Sequence, residues 1–298
     1  MYRKIIVGYI DSDEARDAVA LGKLLARATG GELILAGVFP FAPAKEFVSV
    51  EIERVLEAGE RALAEQLQHA AEAAGAVAEP FPSSSRARGL HDAVEELEAD
   101  LVVVGSSSRA GLGRVLAGDV ALQLLHGSPC AVAVAPRGYA EAQARLAVIG
   151  VGIDGSDEST EALHVAIELA GGAEATLRLM TAAGIGNQSG LGWGYGTHDL
   201  TALVRQQFQS YLDRAADKVP AEMVQATRLL QGDAASALAS EAEGVDLLCL
   251  GSRGYGPVRR VLLGSESSEL ITNAPCPVLV VPRGTDPANA QHTAVGDQ

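Results

Sequence analysis

Short apolar segments alternate with longer amphipathic segments along the whole chain. In the C-terminal half the apolar segments are 146–153, 175–182, 223–230, 245–250 and 278–281. Each is almost continuously apolar and does not alternate with polar residues, which is typical of strands buried on both faces of a parallel sheet. We therefore predict five parallel strands in this half.

The segments between these strands have helical spacing. We predict helices over 158–169, 200–219, 234–243 and 265–273. Ser156 is a suitable N-cap for the first of them, because its hydroxyl can accept a hydrogen bond from an N–H of the first turn. This alternation of strands and helices predicts an open, doubly wound α/β sheet, in which ligands bind at the carboxyl ends of the strands.

The chain contains an internal duplication. Three blocks recur in the same order: 7–14 (VGYIDSDE) as 151–158 (VGIDGSDE), 99–106 (ADLVVVGS) as 245–252 (VDLLCLGS), and 128–138 (SPCAVAVAPRG) as 274–284 (APCPVLVVPRG). The offset is 144 for the first block and 146 for the other two. We therefore predict two tandem domains, 1–138 and 145–284, followed by a disordered tail over 285–298.

The last strand of each half would be an exposed sheet edge if nothing paired with it. Val132 and Val134 lie in one of these strands, and Val278 and Val280 lie in the other. Because proteins usually cover such edges, we expect the two halves to pair with one another, so that the chain behaves as a fused dimer. Further dimerisation of whole chains is a second expectation.

The composition excludes some classes of binding partner and indicates the cellular compartment. The chain has 38 acidic and 23 basic side chains and a net charge of −15, which argues against broad binding to nucleic acid or to a membrane surface. No apolar segment approaches the roughly 20 residues of a membrane span, and the N-terminus has no signal-peptide pattern. Cys130, Cys249 and Cys276 each lie in an apolar segment, so we expect reduced core thiols and a cytoplasmic protein.

The segment that follows the fourth strand of the C-terminal half has the features of a phosphate-binding loop. Gly251 and Gly254 would let backbone N–H groups approach a ligand closely. Gly264 and Ser265 open the next predicted helix, where free N–H groups favour an anion, and Arg253 adds positive charge. The alternative is a glycine-rich turn followed by a capped helix. The chain has neither a P-loop nor a G-x-G-x-x-G after a first strand.

These features together resemble a known family. The spacing Gly251-x2-Gly254-x9-Gly264-Ser265 is similar to the nucleotide loop of the universal stress protein family, and the Asp-Gly-Ser of 154–156 resembles the end of its first strand. The Pro-Cys-x-Val-x-Val-x-Pro endings of both halves resemble its last strand. The resemblance covers nearly the whole chain twice.

The resemblance implies a fold and a ligand. Each half would be a flavodoxin-like (Rossmann-like) domain, an open five-stranded parallel sheet with helices on both faces, and the C-terminal half would bind ATP, with or without Mg²⁺. Asp154 would contact the ribose, Gly152 and Ile153 would flank the nucleoside, Ala182 and Leu250 would line the adenine, and the phosphates would be surrounded by Gly251, Arg253, Gly254, Gly264, Ser265 and Ser267. An alternative for Asp154 is that it merely opens an Asp-Gly turn.

The N-terminal half departs from this pattern at three positions. Ile10 replaces the ribose Asp, Ser108 replaces the second glycine of the loop, and Asp119 replaces the Ser. A carboxylate repels a phosphate charge at 4 Å by about 1 kcal/mol in water and by about 4 kcal/mol at an effective dielectric constant of 20. Alternatively, Asp119 only caps a helix. On either interpretation we predict that this half binds no ATP, or binds it far more weakly.

The sequence leaves three functional hypotheses. The first is an ATP-binding regulatory protein of the stress response that changes conformation or protein partner with the nucleotide. The second is a slow ATPase or autophosphorylating enzyme, and the third is a scaffold without nucleotide. The six histidines are scattered and no nucleophile with its base is recognisable, so we assign no catalytic residue and no metal site, and expect at most weak ATP hydrolysis.

Overall fold

The computed structural model describes residues 1–39, 50–142, 144–183, 197–252 and 270–282, with the backbone alone for 50–57 and 197–201. The first half contains, in chain order, β1 (Lys4–Tyr9), α1 (Asp13–Thr29), β2 (Glu32–Phe39), α2 (Val50–Ala74), β3 (Val77–Pro82), α3 (Arg86–Glu96), β4 (Leu101–Gly105), α4 (Asp119–Leu125) and β5 (Ala131–Ala135). The second half contains β6 (Val148–Gly152), α5 (Asp157–Ala173), β7 (Thr176–Ala183), α6 (Thr197–Ala216), β8 (Val224–Gln231), α7 (Ala234–Glu241), β9 (Leu247–Gly251) and β10 (Val278–Val281). The predicted tail over 285–298 lies outside the described residues.

Each half is a five-stranded parallel sheet with the same strand order. The order is β3-β2-β1-β4-β5 in the first half and β8-β7-β6-β9-β10 in the second. The first and fourth strands of each half are neighbours, and in the first half the helices that follow them, α1 and α4, lie on opposite faces of the sheet. The predicted fold class is confirmed, and this switch point is where doubly wound sheets bind their ligands.

The two halves form one continuous sheet of ten strands. Their last strands, β5 and β10, pair in antiparallel fashion, with Val132 opposite Val280 and Val134 opposite Val278. The predicted pairing of the halves through these valines is confirmed. The chain is therefore a fused pair of domains in which neither last strand remains an open edge.

Helices cover both faces of the sheet and enclose two hydrophobic cores. Helices α1, α2, α5 and α6 pack on one face, and α3, α4 and α7 pack on the other. Successive residues of β5 alternate between the two cores: Ala131 and Ala133 belong to the first, and Val132 and Val134 to the second. Both cores contain residues of both halves, so each core runs across the join.

The predicted elements of the second half agree well with the structure. All five strands are confirmed, and the largest shifts are at the starts of β6 (148 against 146) and β9 (247 against 245). Helix α5 continues to Ala173, beyond the predicted end at 169, and α6 ends at Ala216, before the predicted 219. Most of the predicted helix over 265–273 lies outside the described residues.

The predicted N-cap of α5 is also confirmed. The Ser156 hydroxyl accepts a hydrogen bond from the Ser159 N–H at 3.1 Å. Ser12 caps α1 in the same way, through the Ala15 N–H at 3.2 Å. The two halves thus repeat this detail as well as the strand order.

One aspartate in each half fixes the start of the first strand. Asp100 Oδ2 accepts hydrogen bonds from the N–H groups of Arg3 and Lys4, at 2.7 and 3.0 Å. Asp246 Oδ2 accepts the two equivalent bonds at the start of β6, at 2.8 and 2.9 Å. These two aspartates occupy corresponding positions in the repeated blocks, so the duplication seen in sequence extends to side-chain hydrogen bonds.

The beginning of the join between the halves is attached to α1. Asp17 is buried, and its carboxylate accepts the N–H groups of Gly138 and Ala140, each at 2.8 Å. The Tyr139 side chain between them is buried in the first core. The join between the halves is polar and rich in alanine in sequence, yet through Tyr139 it contributes a side chain to the first core.

Candidate functional site

A pocket of about 310 Å³ lies at the switch point of the first half. It is bounded by the carboxyl ends of β1, β2 and β4 and by the first turns of α1, α3 and α4. Its lining is formed by Gly8, Tyr9, Ile10, Ser12, Glu14, Ala15, Ala36, Val38, Arg86, Leu90, Val104, Gly105, Ser106, Ser107, Ser108, Gly118, Asp119, Val120 and Ala121. This is the position at which doubly wound sheets hold small molecules.

The lining of this pocket matches the site predicted in the second half, position for position. With the offset of 144 for the first two strands and 146 from the fourth strand onward, the eleven predicted residues correspond to Gly8, Tyr9, Ile10, Val38, Val104, Gly105, Ser107, Ser108, Gly118, Asp119 and Ala121. Every one of these lines the pocket. The repeat therefore shows that positions far apart in sequence meet around a single cavity.

Six of the predicted ATP-binding residues are described, and they lie at one edge of the second sheet. Gly152 ends β6, with Ile153 and Asp154 directly after it, Ala182 is near the end of β7, and Leu250 and Gly251 end β9. Strand β6 pairs with both β7 and β9, so these strand ends are neighbours. The other five predicted residues, Arg253, Gly254, Gly264, Ser265 and Ser267, lie outside the described residues.

The Asp154 carboxylate takes part in a local turn. Its Oδ1 accepts hydrogen bonds from the Ser156 N–H, at 2.9 Å, and from the Ser156 hydroxyl. Gly155, which follows it, has a φ of +81°, in the left-handed region that favours glycine. The side chain is exposed, and its Oδ2 accepts no hydrogen bond from any residue that the structure describes. The Asp-Gly turn is thus present, and it leaves one carboxylate oxygen available.

The Ile153 side chain does not face the candidate site. It is buried in the core between the sheet and α5, and its N–H donates to the Met180 carbonyl at 2.7 Å. Any contact of this residue with a ligand at the switch point would therefore be made by the backbone. Ala182 and Leu250 belong to the opposite core, on the side of α7, and supply apolar surface there.

Gly251 has a reason for being glycine that does not involve a ligand. A Cβ at this position would lie 2.6 Å from the carbonyl oxygen of Glu158, in the first turn of α5. Gly105 is in the same situation, because a Cβ there would overlap the carbonyl oxygen of Glu14 in the first turn of α1. In both halves the fourth strand can approach the helix only if its last residue has no side chain.

Ser252 was not singled out from the sequence, although it ends one of the repeated blocks. Its side chain is buried, and its hydroxyl has no hydrogen-bond partner among the described residues. The corresponding Ser106 hydroxyl donates to the Ala135 carbonyl at 2.7 Å and accepts from the Leu116 N–H at 3.3 Å. A buried hydroxyl without a partner at the head of the candidate loop is compatible with a polar ligand there.

Asp119 is the first residue of α4, and Gly118 is the N-cap, so the suggestion that Asp119 itself caps this helix is wrong.

The first-half pocket contains two further charged residues that the sequence did not place in it. Glu14 and Arg86 also line the pocket. Glu14 lies in a repeated block, which could have identified it. Arg86 lies outside the repeated blocks; it begins α3, and the residue that begins α7 in the second half is Ala234.

Two absences hold for the part of the chain that the structure describes. Within it, no helix is both long enough and apolar enough to cross a membrane. Nor do any three His, Cys, Asp or Glu side chains come together there as metal ligands. Cys130, Cys249 and Cys276 are free and buried, as predicted.

Comparison with known proteins gives the same pattern in both halves. The family model described as "Universal stress protein family" matches residues 1–136 and 147–282. A universal stress protein of Mycobacterium tuberculosis is 33% identical over 199 residues, which is 65% of this chain and 68% of that protein. A universal stress protein of Bacillus subtilis is 32% identical over 141 residues, which is 44% of this chain and 95% of that protein.

A solved structure with the same fold extends over nearly the whole chain. It is a universal stress protein from Archaeoglobus fulgidus, which superimposes with a TM-score of 0.63 at 21% sequence identity and covers 94% of this chain and 98% of its own. At this identity the match supports the fold alone.

Proposed function

The chain belongs to the universal stress protein family in both of its halves, and from this premise we propose that it is an ATP-binding regulatory protein whose C-terminal half holds the nucleotide. The observation that carries the proposal is the pocket of the first half. All eleven positions predicted to surround ATP in the second half have counterparts that line this pocket. The duplicated fold supports an equivalent arrangement in the second half.

The described residues of the second half suit a nucleoside. Asp154 Oδ2 could accept a hydrogen bond from a ribose hydroxyl, because only Oδ1 is used by the turn. Ala182 and Leu250 offer apolar surface to the adenine, and the Ile153 backbone would flank the sugar. None of the three first-half departures (Ile10, Ser108, Asp119) is present here.

The phosphates would be held by the segment that begins at Gly251. The Ser252 hydroxyl, buried and without a partner among the described residues, is one donor available at its start. Gly254, Gly264, Ser265 and Ser267 would add backbone and hydroxyl donors, and Arg253 would add positive charge. When bound, ATP would supply a polyanion that neutralises and orders these groups, with or without Mg²⁺.

We favour regulation by binding over catalysis. The described part of the site offers one carboxylate oxygen and one hydroxyl as free polar groups, and neither is a nucleophile held by a base. A nucleotide that bridges β6, β7 and β9 would instead stabilise one conformation of the loops above the sheet. A change of protein partner with the nucleotide follows naturally from such a change of surface.

The decisive experiment measures the nucleotide that purifies with the full-length protein, released by denaturation and identified by chromatography. We expect about one ATP per chain in the wild type, and little or none in Asp154→Ala or Gly264→Asp. The first variant loses the carboxylate that would bind the ribose, and the second places a negative charge where the phosphates would bind. The matched controls are Ile10→Ala and Gly118→Asp, the same changes at the corresponding positions of the first half. Gly118 tolerates a side chain, since the nearest atom to its Cβ position is 3.6 Å away.

The other outcomes separate the alternatives. Loss of ATP in the first-half variants alone would place the nucleotide in the wrong half and contradict the proposal. The absence of nucleotide, with no thermal shift on adding ATP, would favour a scaffold. Turnover of added ATP with Mg²⁺ that disappears in Gly264→Asp would favour the slow enzyme.

A further inference from the structure

The pocket of the first half is built for a small molecule, but its chemistry differs from that of a nucleotide site. Its volume of about 310 Å³ lies at the small end of the range for ligand pockets. Ile10, Val38, Leu90, Val104 and Val120 give it a largely apolar wall. Ile10 stands where the second half has Asp154, so the group that would recognise a ribose is replaced by an apolar side chain.

Two acidic residues line the same pocket, and neither is paired with a residue that the structure describes. Asp119 is exposed at the first position of α4, and Glu14 is half-buried in the first turn of α1. Neither side chain forms a hydrogen bond or ion pair with any residue in the described ranges. Both lie at helix N-termini, where the helix dipole stabilises a negative charge. The pocket therefore presents two fixed negative charges.

The positive charge of the predicted phosphate site is missing from this pocket. Ser107 stands at the position of Arg253, and Ser108 at that of Gly254. Among the described residues of the lining, Arg86 is the basic one, and it is exposed at the start of α3. The described lining carries two negative charges, from Glu14 and Asp119, and one positive charge, from the Arg86 guanidinium. Its net charge is therefore −1, which disfavours an anionic ligand.

We propose that this pocket binds a small, largely apolar molecule that carries a protonated amine. The apolar body would lie against Val38, Leu90 and Val104, and the ammonium would pair with Asp119 and Glu14. This site is separate from the ATP site proposed for the other half and does not depend on it. The duplication would then have given one chain two binding sites of opposite charge preference.

The test compares three ligands that share an indole ring and differ in charge: tryptamine, tryptophol and indole-3-acetate. Their affinities for the full-length protein are measured by isothermal titration calorimetry and ligand-observed NMR. We expect tryptamine to bind about tenfold more tightly than tryptophol, and indole-3-acetate to bind weakest, because only the amine gains from the carboxylates.

Charge-removing variants locate the site. Asp119→Asn and Glu14→Gln should each weaken tryptamine binding about five- to tenfold and leave tryptophol binding nearly unchanged. The matched control is Asp13→Asn, which removes a charge from the same helix end but from a residue that pairs with Arg16 and does not line the pocket. It should change tryptamine affinity less than about twofold.

Three results would overturn the proposal: equal affinity for tryptamine and indole-3-acetate, no saturable binding of any of the three ligands, or equal weakening by Asp13→Asn and Asp119→Asn. Circular dichroism melts of each variant distinguish a lost charge from a lost fold. Because Asp119 is exposed and Asn is nearly isosteric with Asp, we expect the melting temperature of Asp119→Asn to stay close to that of the wild type.

Discussion

At the scale of single residues, the repeat separates positions required by the fold from positions available to a ligand. Gly105 and Gly251 are glycine in both halves because the carbonyl of a helix's first turn occupies the space of a Cβ. Asp100 and Asp246 are retained because each binds two backbone N–H groups at a strand start. Ile10 and Asp154, in contrast, differ between the halves and lie at the switch point, so the shared fold does not require one residue type at this position.

Also at the scale of single residues, the buried thiols predict how the stability of the protein changes at alkaline pH. Desolvation by burial raises the pKa of the Cys130 and Cys276 thiols to about 12, and it also raises that of Cys249. A raised native pKa means that the thiols are neutral when folded and ionise more readily when unfolded. The stability they contribute is complete below the unfolded pKa of about 8.5 and is lost as the pH rises toward 12.

We therefore expect the free energy of unfolding to fall above pH 9 by about 1.4 kcal/mol per pH unit for each buried thiol. Urea unfolding between pH 8 and pH 10, with a reductant present, measures this slope. The double variant Cys130→Ala/Cys276→Ala should be less stable than the wild type at neutral pH but should show a flatter dependence on pH. An unchanged slope in this variant would mean that other groups, such as the buried Tyr2 and Tyr139 hydroxyls, control the alkaline transition.

At the scale of elements, the contact between α1 and α5 joins the two halves on one face of the sheet. Gly172, in the last turn of α5, lies so close to α1 that a Cβ would overlap the carbonyl oxygen of Ala28. The neighbouring Gly171 has open space, since the nearest atom to its Cβ position is the Met223 Cε at 3.8 Å. Packing therefore requires glycine at position 172 but not at position 171.

Alanine substitution of these two glycines should have opposite effects. Gly172→Ala must push α5 away from α1, and we expect it to destabilise the protein by about 2–4 kcal/mol. Gly171→Ala should be neutral or should stabilise the protein by up to about 1 kcal/mol, because alanine favours the helix. Chemical denaturation of both variants tests the pair, and equal effects would show that the helices do not approach closely at Gly172.

At the scale of the whole molecule, the ten-stranded sheet and its two shared cores predict cooperative unfolding. Contacts between the halves extend beyond β5 and β10. The Val115 and Ala117 N–H groups donate to the Ala274 and Ile271 carbonyls at 2.8 and 3.0 Å. Arg114 forms an ion pair with Glu243 at 3.2 Å. Neither half retains a complete core without the other.

Differential scanning calorimetry should therefore show one transition for the full chain. Gly105→Ala, a change confined to the first half, should lower the temperature of that whole transition by about 5 °C without splitting it. Gly118→Ala, at a position with room for a methyl group, should move it by no more than about 2 °C. Two resolved transitions, with only one of them shifted by Gly105→Ala, would contradict the single cooperative unit.

The sequence by itself determined much of the fold because the signals involved are local or repeated. Continuous apolar segments identified all five strands of the second half, and the hydroxyl of Ser156 identified the start of α5. Edge strands of valine predicted the pairing of the two halves, since an open apolar edge is unfavourable. The eleven ATP-site positions of the second half stay a prediction from the resemblance to a family; their counterparts in the first half meet in one pocket.

Only the tertiary structure decided what depends on contacts between distant residues. Helix α5 continues past its two glycines to Ala173, and the close approach of α1 explains why residue 172 is glycine. The Ile153 side chain faces the core, and Gly251 is required by the Glu158 carbonyl, which local spacing cannot reveal. The charge of the first-half pocket depends on Arg86 and Glu14, brought to Asp119 by separate helices. Local pattern fixes which elements form, whereas the physical environment of a site arises where those elements meet.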